Sequence, residues 1–237
     1  MRGDNTVEMT SLPAGYKALV VGASGGIGSA IADALEADAR CGGVQRLSRR
    51  YDGLDLTHED SVAAAAARLS GGFHLIFCAT GGLTIDGIGP EKSLKQIAPE
   101  VMMKQFALNA IGTALVLKHF VPLLVRRERA LMAFLSARVG SIGDNRLGGW
   151  ISYRASKAAL NQIVRTASVE IARTHPQAVV VPLHPGTVAT SLTENYAGVH
   201  IRLPPEDSAR ALLGVLDRLT SEQTGQFFAY DGQPIEW

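Results

Sequence analysis

The chain has 237 residues, and its 23 lysines and arginines nearly cancel 22 aspartates and glutamates, leaving a formal charge of +1. With 46% hydrophobic and 19% charged residues it can bury a core large enough to offset chain entropy, which excludes a disordered protein. The near-neutral charge argues against a nucleic-acid binder that works by phosphate neutralisation, and single α/β domains routinely reach about 200 to 250 residues, so one domain spanning 1–237 is expected.

The polar N-terminal stretch 1–15 lacks the apolar centre of a secretory signal, and Cys41 and Cys78 offer no disulfide framework. Both favour a cytoplasmic location. Beyond that stretch, short continuous apolar blocks alternate with longer segments of helical spacing. A strand is expected at Lys17–Gly22, then a helix at Ile27–Ala39, a strand at Gly43–Ser48, and an alanine-rich helix at Glu59–Leu69. Cys41 falls in the turn before the second strand. A third strand, Phe73–Cys78, ends in a buried cysteine and precedes a helix over Val101–Lys118, on which His119 borders as a structural residue. The longest apolar run, Ile111–Val125, is broken by Lys118, His119 and Pro122, short of the roughly 18 residues a membrane span needs. No spanning helix or membrane partner is therefore expected. The remaining pairs are a strand at Ala130–Ser136 with a helix at Ser152–Arg173, a strand at Ala178–Leu183 with a helix at Pro205–Thr220, and a last strand at Gln226–Tyr230. Continuous apolar strands suit a mostly parallel sheet covered by helices on both faces, a doubly wound, Rossmann-type α/β domain. Pro182 is out of place in an interior strand, where it removes a ladder donor.

Two stretches lack periodicity, Gly81–Pro99 and Thr187–Pro204, and both follow strand ends, where ligands bind in open α/β sheets. They are the expected walls of a site, with 187–204 as a substrate lid. At the first strand end, Gly22, Gly26 and Gly28 stand in a GxxxGxG spacing before a helix. Glycine lets the backbone approach a ligand, and a helix N-terminus attracts a pyrophosphate. The arrangement points to a dinucleotide, although a glycine trio alone also makes a tight turn. At the end of the second strand Ser48 occupies the place of the acid that usually binds a ribose 2′-hydroxyl, with Arg49 and Arg50 next to it. A carboxylate there would repel a 2′-phosphate and an arginine pairs with one, so NADP(H) is preferred and NAD(H) is possible. The six histidines and two cysteines form no metal-ligand spacing, and no metal is expected.

Tyr153 and Lys157 are four apart at the start of a helical stretch, on one face. An ammonium beside a phenol stabilises the phenolate, and such a pair can exchange a proton with a substrate oxygen. Together with the glycine turn, the pattern resembles the short-chain dehydrogenase/reductase family over nearly the whole chain. The family's TGxxxGxG turn appears as Val21 to Gly28, with Ser24 and Ile27 inside it, and its YxxxK pair is Tyr153 and Lys157. The resemblance implies that Asn109 kinks its helix and holds a relay water for the lysine. It also implies that Asp55 and Leu56 meet the adenine, that Thr80 and Gly81 flank the cofactor, and that Pro185, Gly186, Val188 and Thr190 wrap the nicotinamide. Two departures stand out. The NNAG motif appears as Cys78-Ala79-Thr80-Gly81, without its asparagines. The serine that normally binds the substrate carbonyl is replaced by Ala137 in Ser136-Ala137-Arg138-Val139-Gly140. Ser136 would serve only if the strand end bulges, Ser141 is a second candidate, and a site without this serine is the third.

The segments Arg138–Asn145, Gly148–Trp150 and Tyr230–Trp237 are similar to the C-factor-like subgroup, which implies an NADP-linked carbonyl reductase acting on a small carbonyl or alcohol; founding members are linked to bacterial cell-to-cell signalling. Trp150 would line the pocket or pack in the core. The resemblance also implies a homodimer or homotetramer. A catalytically weak dinucleotide-binding protein with a redox-sensing or signalling role is the alternative, motivated by Ala137.

Overall fold

The computed structural model describes residues 7–194, 196 and 202–237. Six strands, β1 (Tyr16–Val21), β2 (Cys41–Leu47), β3 (Leu75–Cys78), β4 (Ala130–Leu135), β5 (Ala178–His184) and β6 (Phe228–Ala229), form one sheet in the order β2-β1-β3-β4-β5-β6. Every pairing is parallel. Helices α1 (Gly26–Glu36), α2 (Arg49–Asp52), α3 (Glu59–Ala67), α4 (Pro99–Phe106), α5 (Gly112–Phe120), α6 (Ile151–Ile171) and α7 (Pro205–Arg218) cover its faces.

The apolar blocks become strands because both faces of the sheet are buried. Val179, Val181 and Leu183 of β5 join Leu131, Ala133 and Leu135 of β4 in a core shared with α1 and α7. The alternate residues Ala178 and Val180, with Ala130, Met132 and Phe134, join a second core under α3, α5 and α6. Cys41 opens β2 and is not in the preceding turn, because Tyr16 pairs with it across a bulge. The last strand contracts to two residues, which pair in the sheet with Leu183 and His184.

That short β6 accounts for Pro182. Val180 turns its carbonyl and N–H toward the following segment, accepting from Gly225 N and donating to Thr224 Oγ1, whereas the Leu183 carbonyl accepts from Ser136 N on the β4 side. Pro182 therefore faces as Val180 does, on the flank where β6 has not yet begun, and its missing N–H breaks no ladder bond.

The helix expected over Val101–Lys118 begins at Pro99 and is divided by a π-helical turn at Ala107–Ile111 before continuing as α5. By length and composition the stretch Pro99–Leu123 is apolar enough to cross a membrane, contrary to expectation. Here Val116, Leu117 and Phe120 pack into the second core.

Candidate active site

The glycine turn is built by contacts that no other residue permits. Gly22 leaves β1 at φ +88°, and a Cβ on Gly28 would lie 2.2 Å from the Gly22 carbonyl oxygen. The turn is tied to β2 by Gly22 N and Ala23 N, which both donate to Leu47 O. α1 has no side-chain cap and no acid in its first turn, so its initial N–H groups remain available to an anion.

All the residues expected to bind cofactor line one cavity of about 920 Å³ along the carboxyl ends of the strands. At one end Ser48 caps α2 by accepting from Tyr51 N, and its hydroxyl also reaches Asp52. This occupies Ser48 and leaves the exposed Arg49 as the open cation beside it, while the Arg50 guanidinium lies 5.5 Å from the Tyr51 ring centroid. Asp55 accepts from the Thr57 hydroxyl and N–H, which with nearby His58 outweigh its partial burial and hold its carboxyl below the ordinary range.

At the other end Tyr153 and Lys157 rise from α6, 7% and 3% exposed, with the Lys157 Nζ 5.9 Å from the Tyr153 ring centroid. Lys157 donates to the Leu135 carbonyl at 2.9 Å. Burial pushes its pKa down to about 8 and pushes the Tyr153 phenol well above its usual value. Desolvation alone sets this direction, and the expected lowering of the phenol by the lysine is not seen. Gly81 makes the close approach possible, because a Cβ there would sit 3.0 Å from Lys157 Nζ and 3.2 Å from Asn109 Oδ1.

Asn109 does not line the cavity but lies behind it, in the π turn. Its carboxamide accepts from Gly82 N and donates to Gly82 O, Gln105 Oε1 and Ser156 Oγ, while Thr113 donates to its carbonyl. It fastens the loop after β3 to α6. Neither candidate serine offers a free hydroxyl to the cavity. Ser136 Oγ donates to Asn161 Oδ1 at 2.6 Å, and Ser141 accepts from Asp144 N outside the cavity lining.

Trp150, for which the sequence left pocket lining and core packing open, and residues of the two aperiodic stretches complete the wall. Trp150, N-terminal to α6, adopts φ +53° and ψ +40°, a left-handed conformation rare for a bulky residue. Its ring lines the cavity and stands edge-to-face against Tyr153 and against Tyr196 of the lid. Buried Glu91, from the aperiodic stretch after β3, holds this junction: its carboxylate accepts from Ser152 N and Oγ, and its carbonyl from Trp150 N. Desolvation raises its pKa, but the Ser152 bonds outweigh it and leave the carboxyl below the ordinary value. The segment expected as a lid is pinned at its base, where Leu203 N donates to Thr187 O and Ala189 N to Leu203 O. Tyr196 pairs its hydroxyl with Thr84 Oγ1 at 2.6 Å. Lid positions 195 and 197–201 lie outside the described residues.

Residues 16–198 match the short chain dehydrogenase family. The chain is 36% identical over 188 residues to 1-hydroxy-2-glutathionyl-2-methyl-3-butene dehydrogenase of Rhodococcus sp. (strain AD45), covering 78% of this chain and 79% of that one. It is 38% identical over 137 residues to C-signal of Myxococcus xanthus, covering 57% and 78%. A Burkholderia multivorans crystal structure with bound NADP superposes with a TM-score of 0.75 at 26% identity, covering 94% of this chain and 99% of that one. The chain belongs to the short-chain dehydrogenase/reductase family and is an oxidoreductase.

Proposed function

We propose that this family member moves hydride between NADP(H) and a carbonyl or alcohol carbon, with Tyr153 as the acid and base. The observation that carries the reading is that Tyr153 and Lys157, buried on one face of α6, open into the same cavity as the glycine turn. The residues present fit the cofactor: a Cβ on Gly22 or Gly28 would fill the turn, and the first-turn N–H groups of α1 are uncapped. Gly22, Ser24, Gly26, Ile27 and Gly28 would hold the pyrophosphate, Arg49 a 2′-phosphate, and Asp55 and Leu56 the adenine. Thr80, Gly81 and Lys157 would meet the nicotinamide ribose, and Pro185, Gly186, Val188 and Thr190 the ring. The NADP of the Burkholderia neighbour supports this choice of cofactor.

Once bound, the cofactor supplies or accepts the hydride. In the reducing direction Tyr153, kept protonated by its burial, gives its proton to the oxygen on which negative charge develops. Lys157 is cationic below its pKa of about 8 and stabilises the phenolate left behind. Asn109 keeps Gly82 fixed so that Gly81 stays against the lysine.

The test is turnover of aldehydes, diketones and keto esters with NADPH and NADH, by wild type and by Tyr153→Phe. NADPH-preferring turnover that Tyr153→Phe reduces by at least about 10²-fold without weakening NADPH binding is expected. Intact turnover in that variant removes the assignment, and a clear preference for NADH removes the choice of cofactor.

A further inference from the structure

Carbonyl reduction concentrates charge on one oxygen, and a second hydrogen-bond donor aimed at that oxygen typically contributes about 10² to 10³ in rate. The side chain at Ala137 has no donor, Ser136 gives its hydroxyl hydrogen to Asn161 Oδ1, and Ser141, which accepts from Asp144 N, lies outside the cavity lining. The sheet places another polar group at this point. β4 and β5 run in register, with Phe134 opposite Pro182 and Leu135 opposite Leu183. The next pair is Ser136 and His184, and by strand alternation both side chains lie on the face covered by α6.

His184 lines the cavity that Tyr153 and Lys157 also line. Its Nδ1 is buried and, among the described residues, has no hydrogen-bond partner. The residue is partly exposed and, of its two ring nitrogens, Nδ1 alone is a buried atom without a partner among the described residues, so Nε2 is the nitrogen left to face the cavity. Asn161 Nδ2, on the carboxamide bonded to Ser136, is likewise buried without a partner, and it is a donor. A proton on Nδ1 would add a second orphaned donor to this neighbourhood. The proton on Nε2 instead leaves Nδ1 as an acceptor and puts the ring's one donor on its exposed nitrogen. Burial pushes the His184 pKa down to about 4, with Arg138 lowering it further and Asp231 opposing, which keeps the ring neutral at pH 7.

The geometry points to His184 as a further catalytic residue: a neutral imidazole whose Nε2–H donates to the substrate carbonyl oxygen in the place where Ala137 cannot. The assignment rests on the carbonyl-reductase reading above, and its test separates the two. The probe is phenanthrenequinone, reduced with NADPH. His184→Ala is expected to lower kcat about 10²-fold while NADPH affinity, read by fluorescence titration, stays within twofold. A kcat loss below threefold, or a loss explained by weaker NADPH binding, overturns it while leaving the Tyr153 result standing. The second measurement needs no substrate and no folded Ala variant. In wild-type protein labelled with [15N]histidine, the His184 signal, assigned by its loss in His184→Gln, should report a neutral ring protonated on Nε2 at pH 7. An imidazolium, or a proton on Nδ1, overturns the assignment.

Discussion

Replacing Glu91 by alanine removes a carboxylate, only 5% exposed, that does for α6 what a capping side chain ordinarily does from within. Trp150 offers no side-chain cap, and Ser152 N and Oγ both donate to the Glu91 carboxylate. Hydrogen bonds to a charged group are worth about 1.5 to 3 kcal/mol each, and a buried donor left without its partner adds its desolvation cost. Taking the low end for two bonds gives a loss of about 3 kcal/mol, which for a chain of this size corresponds to roughly 6 to 12 °C in Tm. Trp150 is held left-handed at this junction, at a conformational cost of about 1 to 3 kcal/mol, so the first turn of α6 should relax and carry Tyr153 with it. A displacement of about 1 Å is enough to reduce kcat by up to roughly 10²-fold. Calorimetry and steady-state kinetics on Glu91→Ala and Glu91→Gln read both effects, with glutamine, which keeps one acceptor, falling between. Because the folded carboxyl lies below its ordinary value, the charged form's contribution is full above about pH 4.3 and lost as pH falls through the lower folded value. The gap between wild type and Glu91→Gln should therefore narrow in acid. A Tm change below 2 °C together with unchanged kcat in Glu91→Ala would refute the reasoning.

Gly28→Ala should abolish tight cofactor binding, because its Cβ would meet the Gly22 backbone oxygen at 2.2 Å and force the turn open; an NADPH dissociation constant within threefold of wild type, measured by fluorescence, would contradict this. Lys157 has a folded pKa of about 8, below the ordinary lysine value of about 10.4, so between those values the unfolded chain binds the extra proton and stability rises with pH. Buried Cys78, with its raised pKa, works in the opposite direction, so the quantity to follow is the difference from Lys157→Met. In urea unfolding without cofactor, the stability of wild type relative to Lys157→Met should increase by about 2 kcal/mol between pH 8 and 9.5; a flat difference would show that the lysine is not desolvated.

The strands were legible because a sheet buried on both faces demands continuous apolar blocks, and Val179 to Val181 or Ala130 to Leu135 state that demand locally. The glycine turn and the tyrosine–lysine pair were legible because their chemistry depends on short spacings. What escaped depends on contacts between residues far apart in the chain. The helix break at Asn109 was implied by the resemblance, but its bonds to Gly82 were not, and the cap of α6 comes from Glu91, 61 positions before Ser152. Pro182 was unreadable for a similar reason, since its tolerance depends on where β6 starts. Ser136 lines the cavity, but its hydroxyl hydrogen goes to Asn161 Oδ1, a contact the strand pattern does not carry.

The two hydrogen bonds that join Leu203 to Thr187 and Ala189 make a neck for the lid. Above a closed neck, the entropy of a loop grows only with the logarithm of its length, about 0.6 kcal/mol for each doubling. Insertions between positions 190 and 202 therefore cost the sheet little in loop-closure entropy. On the proposed function, substrate range can then change in this segment while the proposed hydride and proton machinery remains under separate, much stricter constraint.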